Sequence, residues 1–452
     1  MSATTCPIRA RTWPIPSTPT PGPAASPTAS SRSTRTRSPT TPASNAGPIF
    51  SQTSWPTSCA TTACSRWSTP KVVHDAPPFT LGIEEEYLLV DKETRAVTDK
   101  APESLFEECE QRLKGRVAHE FLSSQIEVNT RVCTDIAQAR AELAELRTTV
   151  AEVAGGYGLA PIAASTHPFS LWEAQHHTDR ARYNEIARDI QAPAQRLMIC
   201  GMHVHVGLGD DDELRIDLLN QISYFLPHLL ALSTSSPFWR GQDTGLKSYR
   251  LSIFDELPRT GLPNQFQSFS EYQRHVQVLV DAGLIEDATK LWWDVRPSAR
   301  FPTLEMRITD VCPLMEDALA IAALFTCILR MLYRLKLQNQ RWRIYSPMLL
   351  EENRWRAQRY GLDEGLVDFG KGEVVPFGLL LDEITGLIAE DADVLGCTAQ
   401  ITHLKTIRAR GTGAHRQLAA RAEAIAAGAT PDAALAAVVD RLMAETTQVL
   451  ES

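Results

Sequence analysis

The chain has 452 residues and a formal net charge of −9, enough for two or three domains or one large core with an appendage. That mild acidity argues against a general nucleic-acid partner. The longest apolar run, Ala318 to Leu329, is about a dozen residues, short of the roughly 20 needed to cross a bilayer, so it reads as a buried core helix. The nine cysteines, at positions 6, 59, 64, 109, 133, 200, 312, 327 and 397, show no zinc-type spacing and read as free thiols in a reducing cytoplasm.

Residues 1–74 form a first unit, set apart by composition. Of the first 70 positions, 49 are Ser, Thr, Pro or Ala, and six arginines but no acid precede Asp75. Such a segment cannot bury enough apolar surface to offset its ordering entropy, so disorder is expected. It has the Ser and Arg of a transit peptide but too many prolines for an amphipathic helix. A mis-assigned start codon would produce the same abrupt change, and no function is assigned to it.

Residues 75–452 mix strand-like and helix-like segments. Helical periodicity marks Glu103–Lys114, Asp135–Ala154, Leu214–Leu232, Glu316–Leu337, Leu349–Tyr360 and Pro431–Leu450, with Gly155-Gly156 and Gly361 as stops. Strands do not alternate regularly with helices, and no Gly-x-Gly-x-x-Gly or Gly-x4-Gly-Lys motif occurs. An α+β class follows: an antiparallel sheet with helices packed on one face.

Four strand-like segments share one polarity scheme. In "TLGIEEEYLLVD", alternation puts Gly82, Glu84 and Glu86 on one face and Leu81, Ile83, Tyr87 and Leu89 on the other. Glu85 is out of place on the apolar face and is expected near an edge. "SSQIEVNT" sets Ser123, Gln125, Glu127 and Asn129 against Ile126 and Val128. "GMHVHVGL" sets His203 and His205 against Met202, Val204 and Val206, and "TLEMRITD" sets Glu305 and Arg307 against Leu304, Met306 and Ile308.

Singly, each pattern has a plain structural explanation: a solvated strand face, a satisfied histidine pair, a same-face salt bridge. Together they supply acids and imidazoles to one concave floor, which is suited to cations. Oxygen-rich donor sets favour Mg²⁺ or Mn²⁺, and Mg²⁺ commonly shares its ligands with nucleotide phosphates. Arg307, with Arg240, Lys247 and Arg250 of "SPFWRGQDTGLKSYR", could meet those phosphates. Glu120, His119 and His167 stay ambiguous, and Arg341, Arg343, Arg354, Arg356 and Arg359 read as solvated helix charges.

These segments, with "STHPF", "WWDVRPSARFPTLEMRITDVCP", "NRWRAQRYGL" and "RGTGAHRQ", resemble in order the carboxylate–amine ligase family, or type 2 glutamate–cysteine ligases. The resemblance covers about residues 77–420. It implies a glutamine synthetase-like catalytic domain with a curved antiparallel sheet. The implied chemistry is ATP-dependent phosphorylation of a carboxylate, typically the γ-carboxylate of glutamate, followed by attack of an amine such as cysteine. By motif, Glu84, Glu86, Glu127, His203 and Glu305 would hold metal, with Glu127 alternatively at a substrate amine. His205 would face phosphate, Arg307 with Glu305 would serve catalysis, and Arg240 and Arg250 would contact phosphate or carboxylate.

Two rivals stay open: a zinc-dependent amidohydrolase-type hydrolase, suggested by His203-x-His205, and a non-catalytic nucleotide- or metabolite-binding protein on the same scaffold. The expected partners are small molecules, without nucleic acid or membrane. A homo-oligomer is possible through Leu214–Leu232 or Glu316–Leu337.

Overall fold

The computed structural model describes residues 76–448; the Ser/Thr/Pro/Ala-rich unit expected over residues 1–74 lies outside them. Seven strands build the main sheet: β1 (Leu81–Asp91), β2 (Val117–His119), β3 (Gln125–Asn129), β4 (Leu159–Ile162), β5 (Met202–Gly207), β6 (Val295–Pro297) and β7 (Thr303–Met306). All pairings are antiparallel, in the order β6-β7-β5-β1-β3-β2, with β4 alongside the last residues of β1. β1 is therefore central, although its local sequence is the richest in charge.

Alternation explains how these strands bury one face. Ile83, Tyr87, Ile126, Val128, Met202, Val204, Val206, Leu304 and Met306 are all buried, on one side of the pleat. Helices Ile136–Gly156, Asp212–Ile222 and Met315–Leu337 pack against the sheet and complete the core. Asp135 caps the first of these, accepting a hydrogen bond from the Gln138 N–H at 2.8 Å. Met315–Leu337 is long and apolar enough to cross a bilayer by composition, yet most of it is buried in the protein. Its Asp317 pairs with Arg410, Arg416 and His403.

Three local expectations are corrected. Glu85 lies in the central strand, fully buried, not near an edge. The Arg147 guanidinium grips its carboxylate at 2.6 and 2.9 Å, and Tyr87 Oη donates a further bond. Leu214–Leu232 is two helices, Asp212–Ile222 and Leu226–Ser233, because Pro227 cannot donate within a continuing helix and restarts one at its first turn. Arg354 is buried, with forked contacts to Asp255 and Asp294 at 2.6 to 3.1 Å. The C-terminal helix runs Pro431–Thr447 within the described residues.

Candidate active site

Strand register assembles the polar face. Glu84 stands opposite His203, Gly82 opposite His205, and Glu86 opposite Glu127. On the next strands outward, His205 faces Glu305 and Glu305 faces Arg296. These residues floor a cavity of about 360 Å³, walled by the 118–121 segment, the helix Ala181–Ile190 and the β6–β7 turn.

Two trios of donors lie on this floor: Glu84 with His205 and Glu305, and Glu86 with Glu120 and Glu127. Within each trio, ligating atoms come within 4.8 Å of one another. His203 stands between them. Its Nδ1 is 3.0 Å from Glu84; a proton donated there leaves the lone pair on Nε2, 3.8 Å from Glu86. That Nε2 is buried and has no hydrogen-bond partner among the described residues. An orphaned imidazole nitrogen beside crowded carboxylates fits a divalent cation, which would remove both the unpaired atom and the repulsion.

The electrostatics divide the floor into two regimes. Burial opposes ionisation of Glu84, but hydrogen bonds from His203 and His205 outweigh it and hold its carboxyl well below the usual range. Burial likewise opposes ionisation of Glu305, yet the guanidiniums of Arg307 and Arg296 keep it ionised; Arg296 grips it at 2.8 and 2.9 Å. Across the floor, burial and the charge of Glu86 push Glu120 up to about 7. Burial and the neighbouring Glu120, Glu84 and Glu86 push Glu127 well above its ordinary value. One half of the floor is a neutralised salt-bridge net, and the other is an acid cluster short of positive charge.

The remaining predicted residues fall into two groups. Arg307 and Arg250 line the cavity. Arg250 is 2 % exposed and has no carboxylate within ion-pair distance among the described residues. Its Nη1 and Nη2 reach only the carbonyls of Ile308 and Arg307, at 3.4 and 3.2 Å. Gly201 makes room for it, since a Cβ there would collide with the guanidinium. Arg240 and Lys247, expected at the phosphates, lie outside the cavity. Arg240 sits in a left-handed turn and pairs with Glu173 at 3.0 Å, and Lys247 pairs with Asp363 at 3.1 Å.

Among the ambiguous residues, Glu120 joins the acid trio. It follows the short strand β2, where no alternation could flag it; its proximity to Glu127 comes from the β2–β3 pairing. His119 stacks on Phe106 with ring centroids 4.0 Å apart. His167 is a core residue, accepting from the Ser170 N–H at 2.9 Å and donating to the Arg95 carbonyl at 2.9 Å. Arg296, unremarked in the sequence, is the bidentate partner that fixes Glu305.

A carboxylate-rich floor beside the guanidiniums of Arg250 and Arg307, on an antiparallel sheet backed by helices, has donors suited to cations and to phosphate oxygens. Residues 80–437 match the glutamate-cysteine ligase family 2 (GCS2), and the chain belongs to that family. It is similar to proteins named "Putative glutamate--cysteine ligase 2" from Rhodospirillum rubrum (62% identical over 374 residues, 82% of this chain and 96% of the relative) and Chloroflexus aurantiacus (45% over 368 residues, 81% and 92%).

The fold is similar to that of a bifunctional glutathione synthetase from Pasteurella multocida (TM-score 0.58, 16% identity, 81% of this chain and 52% of that chain). It is also similar to a glutamate–cysteine ligase from Francisella tularensis in complex with AMP (TM-score 0.56, 13% identity, 81% and 89%). The enzyme is thus an ATP-dependent ligase that forms carbon–nitrogen bonds in a family that uses a divalent metal. Membership lends no support to the zinc hydrolase.

Proposed function

We propose that the enzyme joins the γ-carboxylate of glutamate to an amine such as cysteine through an acyl phosphate, with Mg²⁺ as the working ion and Mn²⁺ as a substitute. The carboxylate oxygen bonds to the γ-phosphorus of ATP as the bridge to ADP breaks. The amine nitrogen then bonds to the acyl carbon as phosphate leaves, and the amine sheds a proton. Cations held by Glu84, Glu86, Glu127, His203 and Glu305, completed by Glu120 and His205, would supply positive charge for the phosphates.

The chain's own groups do the rest. Arg307 lines the cavity, its side chain 12 % exposed, and is fixed by Glu305, so its guanidinium is aimed before charge develops on the moving phosphoryl group. A donor so placed is worth about 3–4 kcal/mol in comparable sites. Arg250, buried without a carboxylate partner, is suited to hold a phosphate or substrate carboxylate. The helix Ala181–Ile190 covers the cavity through Arg182, Tyr183 and Ile186, limiting the water that would hydrolyse an acyl phosphate. The six described cysteines are free and buried, which suits a cytoplasmic enzyme.

The observation that carries this reading is the pair of donor trios flanking the unpartnered His203 Nε2, on the same floor as Arg307. The test is ADP release with Mg²⁺, ATP, glutamate and a panel of amines, with product mass measured. Glutamate-dependent ADP release and a product lacking one water from the sum of its parents are expected. ADP release unaffected by omitting glutamate would overturn the assignment.

A further inference from the structure

Asp310 is a fully buried acid just beyond β7 that the chemistry above does not use. Strict alternation from Glu305 and Arg307 would turn it to the apolar side with Met306 and Ile308. A bulge intervenes. The N–H groups of Arg307 and Ile308 both donate to the Asp294 carbonyl, at 2.8 and 3.1 Å. Met306 pairs with Val204 but Asp310 pairs with Gly201, four steps along one strand against three along the other. Paired residues share a side of the sheet, so Asp310 is returned to the side on which a Cβ at Gly201 would meet the Arg250 guanidinium.

Three donors hold the Asp310 carboxylate. Oδ2 accepts from the Ser235 N–H and the Ser236 hydroxyl, and Oδ1 accepts from the Ser248 hydroxyl, each at 2.8 Å. All three serines are buried. Ser248 lies two residues before Arg250, and Ser236 Oγ accepts from the Arg250 N–H at 3.1 Å. The Ser236 carbonyl accepts from the Tyr249 N–H at 2.9 Å. The carboxylate thus fixes the backbone from which the Arg250 side chain extends.

The same carboxylate balances the guanidinium without touching it. Burial disfavours the Arg250 cation, and the charge of Asp310 opposes this most, ahead of Glu86. Burial likewise raises the Asp310 carboxyl, and the charge of Arg250 pulls it back. A carboxylate in direct contact would neutralise the guanidinium and occupy its fork as well. Set back behind hydroxyls, Asp310 leaves the fork free. Arg250 spends Nη1 and Nη2 bonds on two carbonyls, and its Nε has no partner among the described residues, so donors remain to spare.

We propose that Asp310 is a positioning residue of the ligase. It fixes the backbone at Arg250 and balances that charge from behind, leaving the spare donors to an anionic group of a substrate, a phosphate of ATP or a carboxylate of glutamate. This deepens the ligase reading above and rests on it.

Asp310→Asn tests the charge. The amide has the same size, and with its oxygen toward Ser235 and Ser236 it keeps both of those bonds, while the Ser248 hydroxyl turns to accept. In the ADP-release assay, KM for ATP or for glutamate should rise roughly tenfold or more while the other stays within about twofold. The KM that rises names the anion that Arg250 holds. In an Arg250→Met background, the same substitution should move that KM by less than about twofold, because Asp310 acts through Arg250. A purely structural role would leave the effect undiminished in that background. Such a persistent rise, or two KM values unmoved by Asp310→Asn alone, overturns the proposal. If Asp310→Asn does not fold, Ser248→Ala, which removes one bond to the carboxylate and keeps its charge, enters the same cycle with an expected rise of roughly threefold or more and the same refuting outcomes.

A wild-type enzyme without glutamate-dependent ADP release would refute the ligase reading instead. The cycle is then read as Kd, by calorimetric titration of glutamate and of a non-hydrolysable ATP analogue with Mg²⁺. Weakened binding in Asp310→Asn that vanishes in the Arg250→Met background supports the proposal. Equal weakening in both backgrounds, or binding of neither ligand to wild type, overturns it.

Discussion

Arg147→Met tests how the central strand tolerates an acid on its buried face. The substitution removes both guanidinium contacts to Glu85, at 2.6 and 2.9 Å, leaving that carboxylate fully buried with only Tyr87 as a partner. It also strips donors from the carbonyls of Cys312 and Pro313. Breaking one side of a buried pair costs about 3–5 kcal/mol, most of it the desolvated charge left behind. An unfolding entropy of about 2.1 cal/mol/K per residue over the roughly 370 described residues converts this to a Tm loss of about 4–6 °C.

Thermal melts followed by circular dichroism, with urea titrations in parallel, measure the loss directly. The triple variant Arg147→Met, Glu85→Leu, Tyr87→Phe removes the charge and the orphaned hydroxyl together, and should recover at least half the stability. A single variant within about 1 kcal/mol of wild type, or a triple variant no better than the single, would refute the reasoning.

Glu305→Gln takes the shared anion from between Arg296 and Arg307, so ADP release should fall by about 10²-fold or more with the circular dichroism spectrum unchanged; full turnover would remove Glu305 from the site. Gly201→Ala drives a methyl into the Arg250 guanidinium, and kcat/KM should drop on the order of tenfold to a hundredfold while Tm moves little.

Acid stability should report on the core histidines. Burial lowers His228 to about 4 and His167 to about 3, so each contributes stability that is complete above pH 6.5 and is lost as pH falls toward those values. The His228 share is about 3 kcal/mol, and in urea titrations between pH 7 and 4, His228→Leu should flatten the decline by that amount. An unchanged slope would show that its ring is already protonated in the folded state.

The sequence by itself determined which residues share a face. Period-two alternation is a local property of each strand, so Glu84 with Glu86, His203 with His205, and Glu305 with Arg307 were legible as polar-face pairs before any fold was known. The core of the helix Met315–Leu337 was legible too, from the apolar run Ala318 to Leu329. The tertiary structure alone decided which faces meet and in what register. Only the pairing of distant strands sets Glu84 across from His203 and Glu305 across from Arg296, and only chain reversal brings Glu120 to Glu127.

The same limit hid the partner of Glu85. Arg147 lies 62 positions away on a helix and looks like any other helical arginine until packing buries both charges together. It applies equally to Arg240 and Lys247, neighbours of Arg250 in the sequence. Only Arg250 turns inward at the start of a short buried helix, while the other two meet acids elsewhere. Local periodicity is fixed by backbone geometry and survives in the sequence, whereas long-range electrostatic pairing depends on how the whole chain closes and leaves no local trace.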